Sequence, residues 1–411
     1  MRIAYLLTDL GIPFFGRKGA SVHARSITEA ISQLGHDVVC YAAVAGDDPA
    51  QPSPVTIRVV TLDPTLEELV DAASRDGQAS ARPNLRRREI AGLCINDPFR
   101  RRVAEDHSHR PFDLLIERYS LWSLAGARLA RDLSIPLLLE VNAPLPEEAQ
   151  RFRSLALAAV AHAIRRQVFH EAAGIAAVSR ELAEGAVREG ADPGRIAVVP
   201  NGFDPALFHP GDPEAERRDG FVVGFLGSLK PWHGIETLCR AFAGLARDDS
   251  RVRLLILGDG PLRGRIERFA RRFRLGDRIE LAGSLPHDRV PALLRHFDVA
   301  VAPYADAEGF YFSPLKIFEY MGAGLPIVTS AIGQIAEVLE DGRTALLVPP
   351  GDAQALACAI RRLRDDEGLR RSLGGAASAA ARERFCWRDT ARKVIGLAQG
   401  ILESRTVCHG A

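Results

Sequence analysis

Short apolar runs of four to six residues recur along this chain with longer segments of helical period between them, and that alternation restricts the fold more than any other feature. The runs fall at 3–7, 37–41, 57–60, 114–117, 136–140, 174–178 and 196–199 in the first half, and at 222–226, 253–257, 279–282, 299–303, 327–330 and 345–348 in the second. Helical patterns such as 20–34, 235–245, 262–274, 290–295 and 314–322 separate them. A run apolar throughout suits a strand covered on both faces, and strands alternating with helices build parallel βαβ units. The chain therefore reads as α/β, with two Rossmann-like doubly wound domains. Its 411 residues exceed what one core organises. The proline- and glycine-rich stretch 200–220 marks the change between the halves, which predicts domains at 1–203 and 204–383 and a last helix over 384–411, entered at Phe385 and Trp387.

Charge and cysteine usage narrow the function. Fifty-three basic residues against fifty-two acidic ones leave a net charge of +1, so no whole-chain field exists to hold nucleic acid. The six cysteines show neither a C-x-x-C pair nor a metal spacing with histidine, which fits a reducing cytoplasm. The longest uncharged stretch, 320–336, is broken by Gly322, Gly324, Pro326 and Gly333 and is a poor match to a spanning helix. One segment departs from the overall balance: 82–102, opening on Arg82 and closing on Arg102, carries seven arginines against Glu89 and Asp97, with Leu85, Ile90, Leu93, Ile95 and Phe99 between them. It reads either as a solvated arm or as a peripheral contact with anionic lipid at the inner membrane face.

Ligands of doubly wound sheets bind outside the carboxyl ends of the strands, so the strand-to-helix loops are where chemistry is expected. In the first, TDLGIPFFGRKGAS at 8–21, Gly19 and Ala20 open a helix beside Lys18, a candidate phosphate or sugar site or a plain connecting turn. In GSLKPWHG at 227–234, Lys230 and His233 are placed to face a ligand; the bland reading is a solvated lysine and a core Trp232. LGDGPLR at 257–263 holds a G-x-G, but Pro261 follows at once and the dinucleotide fingerprint is not completed. The strongest is EGFYFSPLKIFEYMGAG at 308–324. Ser313 is an N-cap by type and Pro314 suits a first helical position, so a pyrophosphate would meet free N–H groups and Lys316 there. Glu319 lies about one and a half turns further on, where it can accept bonds from vicinal hydroxyls. Lysine is used only at Lys18, Lys230, Lys316 and Lys393, and three of these four fall in the loops just named. A compact ammonium in an otherwise arginine-based chain fits a point contact with phosphate.

With VNAPL at 141–145, AAVSREL at 176–182, VVPNGFDPALF at 198–208 and the FCW entry to the last helix, these loops make the chain resemble the retaining glycosyltransferases of family 4 over nearly its whole length. The resemblance implies a GT-B fold: two facing domains with an interdomain cleft, nucleotide-sugar on the second, acceptor on the first, and a last helix crossing back to the first. It implies a bacterial-type transferase without cofactor or essential metal, and an acceptor hydroxyl on a glycan, glycolipid or small molecule. Glu319 matches the second glutamate of the family's E-x7-E element. The first falls on Tyr311, with Glu308 displaced by three. Ser228 and His233 stand where the family places a phosphate-binding Arg and Lys, leaving Lys230 to supply charge. Gly283, Leu285 and Val290 are expected near the nucleobase, and Tyr311, Phe312, Ser313, Pro314 and Leu315 along the donor. Asn142 is either a sugar or acceptor contact or a turn residue before Ala-Pro. A non-catalytic nucleotide-sugar-binding subunit and a nucleotide-sugar 2-epimerase are the competing readings.

Overall fold

The computed structural model describes residues 1–47, 53–75, 83–211, 220–305 and 309–409. The chain divides into two compact units, Met1–Pro200 with the chain from Arg388 on, and Asn201–Trp387. The first holds a parallel sheet of β1 (Arg2–Leu7), β2 (Asp37–Ala42), β3 (Thr56–Val59), β4 (Leu114–Arg118), β5 (Leu137–Val141), β6 (Gly174–Ala177) and β7 (Ile196–Val198). The second holds β8 (Phe221–Leu226), β9 (Val252–Leu257), β10 (Ile279–Gly283), β11 (Val299–Ala302), β12 (Ile327–Ser330) and β13 (Leu346–Val348). Each strand coincides with an apolar run in the sequence to within two residues at either end.

The strand orders are β3-β2-β1-β4-β5-β6-β7 and β10-β9-β8-β11-β12-β13. Each order reverses once, between β1 and β4 in the first sheet and between β8 and β11 in the second. Such a reversal opens a crevice at the carboxyl edge, because the helices that follow the two strands leave toward opposite faces. Central strands are apolar throughout because helices cover both faces: β11 and β12 are buried along their whole length. Edge strands are not, and half of Val59 on β3 is exposed. In the second unit Phe225, Leu238, Phe242 and Val301 are sealed from solvent, each large side chain contributing about 1.5–3 kcal/mol.

The arginine-rich segment 82–102 is mostly helical over its described part. Arg82 lies outside the described residues; the rest forms helices Pro83–Cys94 and Asn96–His109. Ile95 and Phe99 are fully buried, Arg87 pairs with Asp71 at 2.6 Å, Arg100 with Asp132 at 2.5 Å and Arg101 with Asp97 at 3.0 Å. Leu85, Ile90 and Leu93 are half-buried, and the arginines just named meet carboxylates of the same unit. No described helix is long and apolar enough to cross a membrane.

The last helix, Trp387–His409, begins beside the start of the second unit: Phe203 N–H donates to the Phe385 carbonyl and Trp387 N–H to that of Phe203, each at 3.0 Å. Further along, Ile401 packs so closely on Gly174 of β6 that a Cβ there would stand 2.5 Å from its Cδ1.

One buried acid makes the first unit's stability depend on pH. Glu117 of β4 is sealed from solvent and accepts a bond from the Ser123 hydroxyl. Burial pushes its carboxyl from the usual 4.5 up to about 7, the Ser123 bond offsetting part of the rise. The folded state therefore holds a proton that the unfolded state releases, so this contribution is fully present below pH 4.5 and is lost as pH rises through 7. In denaturant unfolding at pH 5 and pH 8, Glu117→Gln should shrink the fall in stability by about 3 kcal/mol. Equal pH dependence in the variant and the parent would count against this.

Candidate functional site

In the second unit three loops converge at the carboxyl edge around the β8/β11 reversal. The β8 loop is held by backbone geometry. Gly234 adopts φ +65°, and a Cβ on it would lie 1.3 Å from the Pro303 carbonyl oxygen, so glycine alone lets this loop pack against the end of β11. Behind it stands the G-x-G of the β9 loop. A Cβ on Gly258 would fall 2.0 Å from the Gly227 carbonyl, and one on Gly260 2.8 Å from Leu229 N. Leu229 N–H donates to Asp259 O at 2.9 Å and Leu262 N–H to Leu229 O at 3.1 Å, completing a clasp. These glycines serve close approach of two loops.

The β11 loop leads into the helix Leu315–Gly322. Ser313 is not its cap: Pro314 occupies that position, and no side chain caps the helix. The Ser313 hydroxyl instead accepts the Asn201 N–H at 3.0 Å, while Asn201 Nδ2 donates to the Ser313 carbonyl at 2.6 Å. The asparagine of the PNG motif thereby anchors the loop, a role the sequence reading did not assign.

Lys316 lies in the first turn of this helix and is only 7 % exposed. Its Nζ has no hydrogen-bond partner among the described residues. It sits 4.1 Å from the centre of the Phe225 ring and 5.6 Å from that of Tyr304, and a Cβ on Gly227 would stand 2.7 Å from it. Ring faces repay part of an ammonium's lost hydration, not all of it. Burial accordingly brings the Lys316 pKa down from 10.5 to about 7, with the nearby Glu319 carboxylate opposing the fall. The ammonium of Lys316 thus reaches the loop in which Ser228 and His233 carry no cation.

His233 is not a cation at neutral pH. Burial first, then the charge of Lys316, lowers its pKa to about 3. Its Nδ1 lies 2.5 Å from the Ser228 carbonyl, which can only accept, so Nδ1 carries the proton and Nε2 presents a lone pair. Ser228 is exposed and half-buried Lys230 points its Nζ over the Trp232 ring at 5.8 Å. Trp232 stacks on Phe312, ring centres 6.5 Å apart and planes 11° from parallel, and Phe312 meets Tyr311 at 4.2 Å. The tryptophan is part of a wall that joins two loops. Tyr311, where the family pattern has a glutamate, belongs to that wall; Glu308 lies outside the described residues.

Glu319 is 6 % exposed, and His287 Nε2 lies 2.7 Å from its Oε1. The resemblance puts the 283–290 segment near a nucleobase without singling out His287, whose contact with Glu319 ties that loop to the helix. Gly283 turns at φ +76°, and half-buried Leu285 packs against the core. Val290 is 5 % exposed, its side chain packed within the hydrophobic core. A cavity of about 1190 Å3 in this unit, lined by Phe221, Arg251, Asp298 and Arg370 among others, opens at the opposite, amino-terminal edge of the sheet and holds none of these residues.

The first unit's candidates lie at its own reversal. Lys18 precedes the helix Gly19–Gln33, in which Gly19 and Ala20 form the first turn; it is exposed and donates to the Gly11 carbonyl at 2.8 Å. Asn142 follows β5, and its Nδ2 is buried without a partner among the described residues. Nearby, Glu140 accepts the Tyr5 hydroxyl at 2.6 Å and lies 3.5 Å from His23. Burial would raise the Glu140 pKa, yet His23, Tyr5 and Arg118 together hold it below the usual range. Among the described residues no group of three or more His, Cys, Asp or Glu is arranged to hold a metal ion.

A family model described as Glycosyltransferase Family 4 matches residues 17–207, and one described as Glycosyl transferases group 1 matches residues 220–366. D-inositol 3-phosphate glycosyltransferase of Acidothermus cellulolyticus is 34% identical over 232 residues, 53% of this chain; the match spans half the length of that relative. Sucrose-phosphate synthase from Thermosynechococcus elongatus shares the fold at TM-score 0.74 and 22% identity, over 98% of this chain and 100% of that one. Anabaena HepE, solved in complex with UDP-glucose, does so at TM-score 0.69 and 19% identity, over 99% and 100%. Both halves of the chain match models of one kind and the two reversed sheets are those of the GT-B fold, so the protein belongs to the family 4, or group 1, glycosyltransferases.

Proposed function

We propose that the protein transfers a sugar, with retention at the anomeric carbon, from a nucleoside diphosphate donor on the second unit to a hydroxyl of a glycan, glycolipid or small-molecule acceptor on the first. The observation that carries this is the buried, unpartnered ammonium of Lys316 in the first turn of a helix, one turn before Glu319. A diphosphate is what such a place lacks: it would accept from the ammonium and from the first N–H groups of the helix, whose dipole favours an anion. Glu319, steadied by His287, would take the ribose hydroxyls.

As the bond between the anomeric carbon and the phosphate oxygen breaks, negative charge gathers on the leaving diphosphate, and Lys316, with Lys230, stabilises it there. A preorganised charge in a dry site is the largest contribution a protein makes to such a step. The acceptor oxygen bonds the anomeric carbon on the face the phosphate leaves, and its proton departs with the phosphate. Neutral His233 contributes no charge; its Nε2 lone pair suits a sugar hydroxyl instead. This arrangement needs no metal.

A melting screen over UDP-, GDP-, ADP- and dTDP-sugars, with and without EDTA, tests the reading. One donor at a hundred times its Kd should stabilise the protein by about 2.7 kcal/mol, unchanged by the chelator, and UDP-glucose is the first to try because Anabaena HepE was solved with it. No shift with any donor, or a shift that EDTA abolishes, would refute it. Binding without hydrolysis or transfer would instead make the protein a non-catalytic subunit, the reading favoured by Tyr311 at a glutamate position. Conversion of the donor without acceptor would make it an epimerase.

A further inference from the structure

Four of the first unit's buried polar atoms belong to residues at or beside the carboxyl edge of its sheet and have no hydrogen-bond partner among the described residues: Thr8 Oγ1, Ser21 Oγ, Arg118 Nη1 and Asn142 Nδ2. Thr8 follows β1, Ser21 lies in the first turn of the helix that β1 feeds, Arg118 ends β4 and Asn142 follows β5. These three strands are neighbours, and the sheet reverses between β1 and β4. Arg118 stands opposite Glu140 in the β4–β5 register, so Arg118, Glu140 and, two residues on, Asn142 share a face. Thr8 is 3 % exposed and Ser21 fully buried. A buried hydroxyl or amide left unbonded costs folding free energy, and four at one strand edge mark a place shaped for a polar ligand.

The charges around it set the sign of that ligand. Arg118 Nη1 has no hydrogen-bond partner among the described residues, and the Arg118 charge acts on Glu140. Two further cations flank the β1 loop: Lys18, bonded to the Gly11 carbonyl, and Arg88, whose Nη2 lies 2.5 Å from where a Cβ on Gly11 would stand. Against these three stand Glu140, already bonded by Tyr5, and Asp9, which accepts the Gly11 N–H at 2.7 Å; His23 faces Glu140. The cations are in excess, and the forked guanidinium of Arg118 suits a planar or tetrahedral oxyanion.

We infer that this edge of the first sheet binds a hydroxylated acceptor bearing an anionic group, a phosphate or carboxylate held by Arg118, with Thr8, Ser21 and Asn142 bonding its hydroxyls. The inference rests on the proposed function in taking the first unit's ligand to be the sugar acceptor. Calorimetric titration of the full chain with sn-glycerol 3-phosphate, glucose 6-phosphate and glucuronate, each beside neutral glycerol or glucose, tests it. At least one anionic compound should bind roughly tenfold or more tighter than its neutral counterpart. Arg118→Gln should remove that preference while UDP affinity stays that of the parent. Asn142→Asp, which adds a carboxylate at the same place, should weaken anion binding as well and covers the case in which Arg118→Gln fails to fold. Sedimentation with phosphatidylglycerol vesicles, compared with phosphatidylcholine, separates the sources: Arg118-dependent binding to the former alone would put the anionic group on a lipid. Failure of every anionic polyol and vesicle to bind, or binding that Arg118→Gln leaves unchanged, overturns the inference. Failure of the parent chain to bind any nucleotide-sugar would overturn the proposed function instead.

Discussion

Lys316→Met is expected to make the ligand-free protein more stable and nearly inactive. The side chain is replaced by one of similar length that packs against Phe225 and Tyr304 without bringing a charge into their company. Exchanging buried charge for apolar volume commonly stabilises by about 1–4 kcal/mol, which denaturant unfolding would read. The same change removes the cation facing the leaving diphosphate, and kcat/KM for the donor should fall about 10²–10³-fold. Proton linkage gives an independent check. The Lys316 amine is held near pH 7 by burial, so above that pH the ligand-free site is deprotonated, and a bound diphosphate restores the charge. Nucleotide binding at pH 8 should take up a proton, seen as a binding heat that varies with the buffer, and Lys316→Met should abolish the uptake. A variant that gains stability yet keeps its rate would show that the ammonium serves neither binding nor catalysis.

Glu319→Gln should weaken donor binding roughly ten- to a hundredfold, the range expected when hydrogen bonds to a charged acceptor are replaced by neutral ones. The loss should depend on the ribose. The parent protein is expected to prefer a ribonucleoside diphosphate over its 2′,3′-dideoxy analogue, and the variant to bind the two alike. Removing this carboxylate also withdraws the field that supports the charge on Lys316, so the upper pH limit for nucleotide binding should move down. Glu308→Ala should have a smaller effect, because Glu308 stands three residues from the matched spacing. A ribose preference that survives in Glu319→Gln would remove Glu319 from the nucleotide site.

The strands were legible because a parallel sheet covered on both faces demands apolar residues at every position, a pattern few other structures impose. The candidate site was legible where a single loop carries it, as with Lys316 and Glu319 on one helix. It was illegible where partners come from afar. Ser313 has the chemistry of a cap, yet its hydroxyl is engaged by the N–H of Asn201, 112 residues away in sequence. His287 reaches Glu319 across 32 residues. The arginines of the 82–102 segment looked unopposed because the carboxylates that meet them, such as Asp71 and Asp132, lie outside it. The setting of His233 was illegible as well, since the burial and the Lys316 charge that lower its pKa to about 3 come from residues distant in the chain.

The glycine clasp at Gly258 and Gly260 has a consequence for how such a protein changes over generations. The wall of the proposed donor pocket is propped from behind by residues that need touch no donor, so the prop and the contacting residues answer to different pressures. A population selected on a new sugar can shift the position of Leu229 by altering the turn at 258–262 while every side chain that meets the nucleotide is inherited unchanged. Lineages could then diverge in donor choice with identical contact residues, and a comparison restricted to those residues would miss the divergence.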